Sequence, residues 1–274
     1  MSTPPVALTI AGSDSGGGAG IQADLRCFAA LGVHGACAVT AVTAQDTVGV
    51  QAIHEVPPDI TDAQIAAVLE DLKPRAVKTG MLASVATLEV VAARAATPGF
   101  PPLVVDPVLV SSSGRRLVEG EAELAYLSLL FPLATVVTPN LAEAAILVAR
   151  PISTPDDMAE AARQIQRRTG AAVVVVKGGH LAGPEALDVV FDGRCTTWLS
   201  EPRVATANLH GTGCTFSAAI TAYMASGQAP PEAITRAKAY VSAAIRGAAR
   251  WSLGSGQGPL DHLGWGQARA ARQR

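Results

Sequence analysis

The sequence has little net charge and no long apolar run, and both shortages exclude classes of protein. The 274 residues carry 21 basic and 23 acidic side chains, which leaves a formal charge of −2. Binding of nucleic acid needs a concentrated basic surface. The basic residues cluster only in the short tail Arg269, Arg272 and Arg274, which we expect to be frayed. No run reaches the roughly 18 apolar residues that span a membrane. We therefore expect neither nucleic acid nor a membrane as a partner.

Cysteines are also few, and their spacing excludes common metal and redox motifs. Cys27, Cys37, Cys195 and Cys214 show no paired spacing of the zinc-ribbon or Cys-x-x-Cys kind. A chain of this length needs no disulfides to hold its core, so we expect reduced thiols. The first residues lack the charged start and apolar run of a secretory signal. A soluble cytoplasmic enzyme is the expectation.

Apolar runs alternate along the chain with segments of helical spacing. We predict strands over 6–11, 36–43, 76–79, 103–106, 135–138 and 173–176, an extended flap over 48–56, and a hairpin formed by 187–191 and 195–199. Helices are predicted over 60–72, 84–95, 121–130, 141–148, 156–168, about 212–226 and 231–250, with another after the first glycine-rich loop. Such alternation is typical of a mostly parallel sheet covered on both faces. No linker or repeat interrupts it, so one α/β domain over 1–266 is expected.

Polar residues gather where the predicted strands end. Open parallel sheets bind ligands beyond the carboxyl ends of their strands. One such residue alone is most often a turn or cap residue. Six at one edge favour a ligand site; they are Asp14, Gln45, Lys78, Asp106, Asn140 and Lys177.

The segment His210-Gly211-Thr212-Gly213-Cys214 precedes an apolar helix and is a candidate anion site. Backbone N–H groups at a helix start face the solvent, and their partial positive charge favours a thiolate at Cys214. The alternative is a buried, inert cysteine. No G-x-x-x-x-G-K-[ST] motif occurs, so phosphate would be handled without a P-loop. Phosphoryl transfer could then use residues 211–214 as donors, Lys177 as a cation, Cys214 as a base, and Asp106 and Glu143 for water-mediated magnesium contacts.

A rival interpretation comes from residues 18–23, which match the G-x-G-x-x-G/A pattern of dinucleotide-binding proteins. Asp46 lies where a ribose-binding acid would. The match begins six residues after the predicted strand, however, and Asp24 would put a carboxylate near the pyrophosphate. The loop fits better as a flexible wall over a small neutral ligand, with Asp24 free to accept hydrogen bonds from it.

Motifs along nearly the whole chain resemble one family. They are residues 8–14 (LTIAGSD), 17–24 (GGAGIQAD), 43–45 (TAQ), 80–82 (GML), 106–108 (DPV), 138–144 (TPNLAEA), 177–181 (KGGHL) and 210–215 (HGTGCT). Together they are similar to the hydroxymethylpyrimidine/phosphomethylpyrimidine kinases of thiamine biosynthesis, within the ribokinase-like superfamily. The resemblance implies a three-layer αβα fold with a mostly parallel central sheet, a small antiparallel flap and no separate lid domain. It also implies a homodimer, ATP and Mg²⁺. The implied reaction phosphorylates 4-amino-5-hydroxymethyl-2-methylpyrimidine and then its monophosphate.

The resemblance also implies roles for individual residues. Gln45 would hydrogen-bond the aminopyrimidine edge. The remaining expected contacts are Gly12 and Asp24 lining the substrate pocket, Met81 and Val108 on the ring, Asn140 and Glu143 near magnesium and the phosphates, Lys177 near the transferred group, and Gly211, Thr212, Gly213 and Cys214 as anion hole and base.

Three departures from the family pattern affect the fine contacts. Gly16 stands where many relatives carry Ser, Ser111-Ser112-Ser113 replaces a segment that often carries Lys, and Arg115 stands where an acid is common. These bear on the loop after Asp106. Pyridoxal kinase of the cysteine-containing type is the alternative function, since its substrate is also a small heteroaromatic ring with a hydroxymethyl group.

The cysteine itself bears on the two successive reactions. Most ribokinase-like enzymes place Asp where Cys214 lies, and a carboxylate suits the deprotonation of an alcohol. The second acceptor is already an anionic phosphate, which a fixed carboxylate would repel. We hypothesise that the thiol serves both steps because it can be either charged or neutral.

Overall fold

The computed structural model describes residues 3–109 and 121–266, which form layers around a nine-stranded sheet. The strands are β1 (Val6–Asp14), β2 (His34–Gln45), β3 (Val50–Glu55), β4 (Ala76–Thr79), β5 (Leu103–Val105), β6 (Val136–Val137), β7 (Val173–Lys177), β8 (Glu185–Phe191) and β9 (Thr196–Pro202). Their order across the sheet is β3-β2-β1-β4-β5-β6-β7-β8-β9. Strands β2 to β7 in this order are parallel, while β3, β8 and β9 run antiparallel to their neighbours. This confirms the predicted mostly parallel sheet and its antiparallel flap.

Helices cover both faces of the sheet. They are α1 (Gly20–Ala30), α2 (Pro58–Asp71), α3 (Val85–Ala95), α4 (Glu121–Ala125), α5 (Leu141–Val148), α6 (Pro155–Thr169), α7 (Thr212–Ala225) and α8 (Pro230–Ala248). Alternate residues of a strand point to opposite faces. Leu8 and Ile10 of β1 accordingly join the core under α2, α3, α5 and α6, whereas Ala7 joins the core under α1, α7 and α8. The three-layer αβα architecture is therefore confirmed.

Two local differences from the predicted elements stand out. Strand β1 continues to Asp14, past a register shift between Ala11 and Ser13, so that Asp14 is held by the sheet. The helix predicted over 121–130 has these bounds, but only its first half is α-helical: after α4 the chain forms a π-helical turn, Tyr126–Leu130. Pro132 follows directly and has no N–H to donate to an α-helical turn, and the wider turn buries Tyr126 and Leu130.

The described residues do not bear on several of the predictions. The departures at 111–113 and 115 and the basic tail over 267–274 lie outside the described residues. The single-domain boundary at 266 stays a prediction. Within the described part of the chain, no helix is both long and apolar enough to cross a membrane.

Candidate active site

A cavity of about 810 Å³ opens at the carboxyl ends of the parallel strands. Strand β1 lies between β2 and β4. The connection after β1 leads to β2 on one side, and the connection after β3 leads to β4 on the other side, so a crevice forms at β1. All but one of the residues predicted for the site line this cavity. They are Gly12, Gln45, Met81, Asp106, Val108, Asn140, Glu143, Lys177, Gly211, Thr212, Gly213 and Cys214. The sheet topology thus brings together residues that lie up to two hundred positions apart.

One wall is apolar and closely fitted around Gly12 and Met81. A Cβ atom at Gly12 would collide with the Met81 methyl group, so glycine leaves the space that the methionine fills. Thr40 fixes the methionine backbone by donating a hydrogen bond of 2.6 Å to its carbonyl oxygen. With Val108 and Gln45 nearby, this wall suits a flat ring with one polar edge.

Asp24 is the exception, and the structure corrects the expectation that it is free to bind a ligand. The side chain is fully buried behind the cavity wall. Both of its carboxylate oxygens accept hydrogen bonds from Lys78 Nζ, at 2.9 and 2.8 Å, and Thr9 donates a third at 2.7 Å. Burial alone would lower the pKa of Lys78, but the Asp24 carboxylate raises it above its usual value. Asp24 therefore neutralises a buried lysine.

The helix α7 starts at the opposite wall, and its glycines are required there. Gly211 has φ of 81°, and a Cβ would collide with the carbonyl oxygen of Gly18, so the two glycine loops touch backbone to backbone. A Cβ at Gly213 would lie 3.1 Å from Lys177 Nζ and 3.7 Å from Asp106 Oδ2. The N–H groups of the first turn have no intrahelical acceptor. The predicted anion-binding geometry is present, with a lysine beside it.

Cys214 lies between the N-termini of two helices. It belongs to the first turn of α7, and the backbone N–H of Gly20, which begins α1, hydrogen-bonds its sulfur. Burial nevertheless raises the pKa of Cys214 to about 11, because the opposing effect of Lys78 is partly cancelled by Asp24 and Asp106. Burial therefore outweighs the effect of the helix N-terminus, which favours the thiolate. At pH 7 the side chain is a neutral thiol.

The reactivity of Cys214 should follow this pKa. We expect its alkylation by iodoacetamide to be slow at pH 7 and to accelerate about tenfold per pH unit up to pH 10, since only the thiolate reacts. Mass spectrometry of the modified peptide measures the rate. The exposed Cys195 in the same chain provides an internal comparison. A rate that levels off below pH 8 would contradict the raised pKa.

Lys177 is anchored at the cavity by Asp106. Its Nζ lies 2.7 Å from Asp106 Oδ1, and the same carboxylate accepts hydrogen bonds from Thr138 and Ser217, each at 3.2 Å. Burial would lower the pKa of Lys177, but Asp106 and then Glu143 raise it above its usual value. The lysine consequently stays cationic and can attract an anionic group near α7.

Asn140 and Glu143 form a capping box at the start of α5. The Asn140 side chain accepts from the Glu143 N–H at 3.0 Å, and Glu143 accepts from the Asn140 N–H at 2.8 Å. Burial raises the pKa of Glu143 to about 8, against the opposing effect of Lys177. Among residues 3–109 and 121–266, no three His, Cys, Asp or Glu side chains cluster as a metal site. A Mg²⁺ ion here would keep most of its ligands from phosphate and water, which is its usual preference.

Sequence reasoning missed three groups around the cavity. His210 lies 2.9 Å from Asp14, and Lys238 of α8 lies 2.7 Å from Asp188. Arg203 donates to the carbonyl oxygens of Gly179, Leu181 and Gly183 in the loop after β7, and to that of Glu185, the first residue of β8. Lys238 left a signal, since its position between Ile234 and Val241 places it on the apolar face of a helix.

Comparison with known proteins identifies the family. The sequence profile described as phosphomethylpyrimidine kinase matches residues 14–261. The chain belongs to the phosphomethylpyrimidine kinase family. A hydroxymethylpyrimidine/phosphomethylpyrimidine kinase from Rhizobium meliloti (strain 1021) is 52% identical over 260 residues, covering 94% of this chain and 97% of the relative. The chain is therefore a kinase, and the predicted resemblance is confirmed.

Solved structures place this kinase beside two related activities. The ADP complex of Bacillus subtilis pyridoxal kinase matches with a TM-score of 0.87 and 38% identity, covering 99% of this chain and all of that one. A phosphomethylpyrimidine kinase from Clostridium difficile 630 matches with a TM-score of 0.78 and 40% identity, covering 88% and 99%. The ribokinase-like fold is confirmed by these neighbours.

The dinucleotide interpretation is set aside. The glycine-rich pattern over 18–23 does not turn tightly out of the strand, since five residues separate Asp14 from the first residue of α1. Asp46 instead accepts hydrogen bonds from Val48, Gly49 and Gln51 in the flap. Ala19 and Gly20 of the first glycine loop line the cavity.

Proposed function

We propose that this kinase phosphorylates the hydroxymethyl group of 4-amino-5-hydroxymethyl-2-methylpyrimidine and then the resulting monophosphate. One observation carries the proposal. A ring-sized wall formed by Gly12, Gln45, Met81 and Val108 shares a single cavity with the first turn of α7 and Lys177. A substrate on this wall can therefore direct its hydroxymethyl oxygen, which accepts the phosphoryl group, toward the N–H groups that hydrogen-bond that group during transfer.

The residues present fit ATP and Mg²⁺ as the phosphoryl source. The N–H groups of Gly213 and Cys214, which have no intrahelical acceptor, and the cationic Lys177 suit the transferred phosphate. Asn140 and Glu143 lie along the same cavity. The cavity extends to Lys238, Val241 and Ile245 of α8, which leaves room for a nucleotide. When bound, Mg²⁺ neutralises charge on the phosphates. The carboxylates Asp106 and Glu143 would hold it through water.

This chain's own residues supply positioning and proton transfer. The first turn of α7 donates hydrogen bonds to the moving phosphoryl group, and Lys177 balances its charge. Cys214 faces the same end of the cavity, and its thiolate form takes the proton of the alcohol in the first step and becomes the neutral thiol. In the second step the acceptor is already ionised, and the neutral thiol adds no repulsion.

Pyridoxal phosphorylation is a second candidate for the same site. The B. subtilis pyridoxal kinase shares the fold over the whole chain at 38% identity. A pyridine ring with a hydroxymethyl group would also fit the apolar wall around Met81.

A parallel assay of ATP turnover separates the two candidates. The purified chain is given the pyrimidine alcohol, its monophosphate and pyridoxal, each with Mg²⁺. We expect turnover of both pyrimidines, with kcat/KM for pyridoxal at least about tenfold lower. Turnover of pyridoxal alone would overturn the proposal in favour of the second candidate.

We also propose that the enzyme is a cytoplasmic homodimer. Val48 and Ile53 of the flap and Val42 of the adjoining strand β2 expose apolar side chains, which are 67%, 37% and 51% accessible. An exposed edge strand with apolar side chains readily pairs with another chain. Size-exclusion chromatography with light scattering is expected to give a mass twice that of the single chain, which is 27.9 kDa.

Substitution of Gly213 tests the phosphate side of the site. A methyl group there would lie 3.1 Å from Lys177 Nζ and would displace the lysine or the phosphate. We expect Gly213→Ala to lower kcat by about 10–100-fold. Its stability should be unchanged or higher by up to about 1 kcal/mol, because alanine favours the helix. The control is Gly49→Ala, since nothing lies within 4 Å of that added methyl group. Equal kcat in the two variants would contradict the assignment.

A further inference from the structure

Asp14, His210 and Gln45 form a hydrogen-bonded chain at the substrate end of the cavity. His210 Nε2 lies 2.9 Å from Asp14 Oδ2 and 3.2 Å from the amide nitrogen of Gln45. Asp14 and His210 are buried, at 2% and 7% accessible, while Gln45 is half-buried and lines the cavity. One ring nitrogen therefore faces both a carboxylate and an amide, and its protonation decides how each can bind.

Asp14 is bound in a way that leaves it no proton. Its carboxylate accepts hydrogen bonds from the backbone N–H groups of Gly16, Gly18 and Ala19, at 2.8, 3.0 and 2.8 Å. An ionised carboxylate only accepts, so His210 Nε2 must carry the hydrogen between them. The conclusion holds for a neutral and for a charged imidazole. Burial would raise the pKa of Asp14, but the hydrogen bonds from His210 and the backbone hold it below its usual value.

Gln45 must then turn its carbonyl oxygen toward His210. A protonated Nε2 cannot accept from an amide N–H, whereas a half-turn of the amide brings its oxygen to the same place. The other end of the amide requires the same orientation. Thr43 Oγ1 donates its one hydrogen to the Ser13 carbonyl at 2.8 Å, so it can only accept from the Gln45 group 3.3 Å away. Both neighbours therefore assign oxygen to the His210 side and NH₂ to the Thr43 side.

We propose that Asp14 and His210 are positioning residues that fix the donor and acceptor order of Gln45, and thereby set the substrate preference of the site. In this orientation the Gln45 side chain keeps one lone pair on Oε1 and one N–H on its own Nε2 for a ligand in the cavity. The matching ligand edge has a hydrogen-bond donor beside an acceptor, as an amino group next to a ring nitrogen provides. Pyridoxal has no amino group beside its ring nitrogen. The substrate part of this inference rests on the proposed function.

The protonation state is tested first on the unaltered enzyme by NMR. The chain has five histidines, which are labelled with ¹⁵N. The ring-nitrogen resonances that disappear in His210→Gln belong to His210. At pH 7 we expect His210 Nε2 to have the ¹⁵N chemical shift of a protonated ring nitrogen and a one-bond coupling to its hydrogen. An Nε2 with the shift of an unprotonated ring nitrogen would overturn the inference, whatever the enzyme phosphorylates.

The preference is tested with Asp14→Asn, whose amide can donate to Nε2 and so release Gln45. We expect kcat/KM for the pyrimidine alcohol to fall by about 10–100-fold, mainly through KM, while that for pyridoxal changes much less. The control is Ser15→Ala, because the Ser15 hydroxyl bonds only the backbone of Gln45, at 2.6 and 2.8 Å. Both substrates should then change by less than about threefold.

Two outcomes separate this inference from the proposed function. Equal losses for both substrates in Asp14→Asn, with a normal melting temperature, would reduce Asp14 to a structural role and overturn the preference. An unaltered chain that phosphorylates neither ring would remove the proposed function. A protonated Nε2 in that same chain would still support the assigned hydrogen bonds.

Discussion

Cys214→Asp is expected to retain measurable phosphorylation of the pyrimidine alcohol and to lose transfer to the monophosphate about 10²–10³-fold more severely. A carboxylate about 4 Å from an anionic phosphate costs on the order of 4 kcal/mol at the effective dielectric of a protein surface. Asp106 already contributes negative charge close to the thiol, so the site has little capacity for another anion. Separate assays of the two steps measure the loss of rate in each. Equal losses would contradict the hypothesis that the thiol serves both steps.

Cys214→Ala should show the opposite bias. With a pKa of about 11, only about one thiol in 10⁴ is ionised at pH 7, but that thiolate is a stronger base than a carboxylate. Its removal is expected to slow the alcohol step by about 10²–10⁴-fold and the phosphate step less. Cys214→Ser is the matched control, because it keeps a neutral group of similar size for the second step. A phosphate step that fails in the Ala variant but not in the Ser variant would indicate lost packing, whereas equal failure in both would show that this step also needs the thiol and would contradict the expected bias.

Lys78→Met is expected to produce the largest loss of stability, about 3–5 kcal/mol. Lys78 and Asp24 are both fully buried and 2.8 Å apart, so the substitution leaves an uncompensated carboxylate in the core. For a domain of this size that corresponds to a fall in melting temperature of at least about 6 °C. Urea unfolding at pH 7 measures the change in free energy.

The double variant Lys78→Met with Asp24→Leu is the control for this prediction. Removal of both charges also removes the cost of burying either one, so much of the lost stability should return. The single variant should also recover part of its stability at low pH, where Asp24 becomes protonated. If single and double variants unfold at the same urea concentration, the ion pair is not what the lysine contributes.

Much of the cavity was predictable because parallel strands bring their carboxyl ends to one edge. Asp106, Asn140 and Lys177 each follow a strand that is recognisable from its apolar run, and all three line the cavity. The αβα layering follows from the same alternation of strands and helices. The family motifs added the ring wall around Met81, which no periodicity in the sequence indicates.

Contacts between distant segments could not be predicted in the same way. Asp24 and Lys78 meet only because α1 packs on β1, which neighbours β4 in the sheet, and nothing local to either residue shows it. For Cys214 the helix N-terminus was recognised correctly, but the cost of burying a thiolate outweighs it. The Asp14–His210 pair joins positions 196 residues apart, and no pattern in the sequence indicates that they are in contact.

The order of the chain also has a consequence for its synthesis on the ribosome. Helices α7 and α8 come last, yet α7 covers Ala7, Phe28 and Val104 of segments made much earlier. The bridge between His210 and Pro259 forms only after residue 259 has been made. Until α7 and α8 have emerged, this apolar face of the sheet stays uncovered, and the nascent polypeptide lacks the N–H groups of the first turn of α7. A growing chain is thus catalytically silent and, for the same reason, a natural client for chaperones.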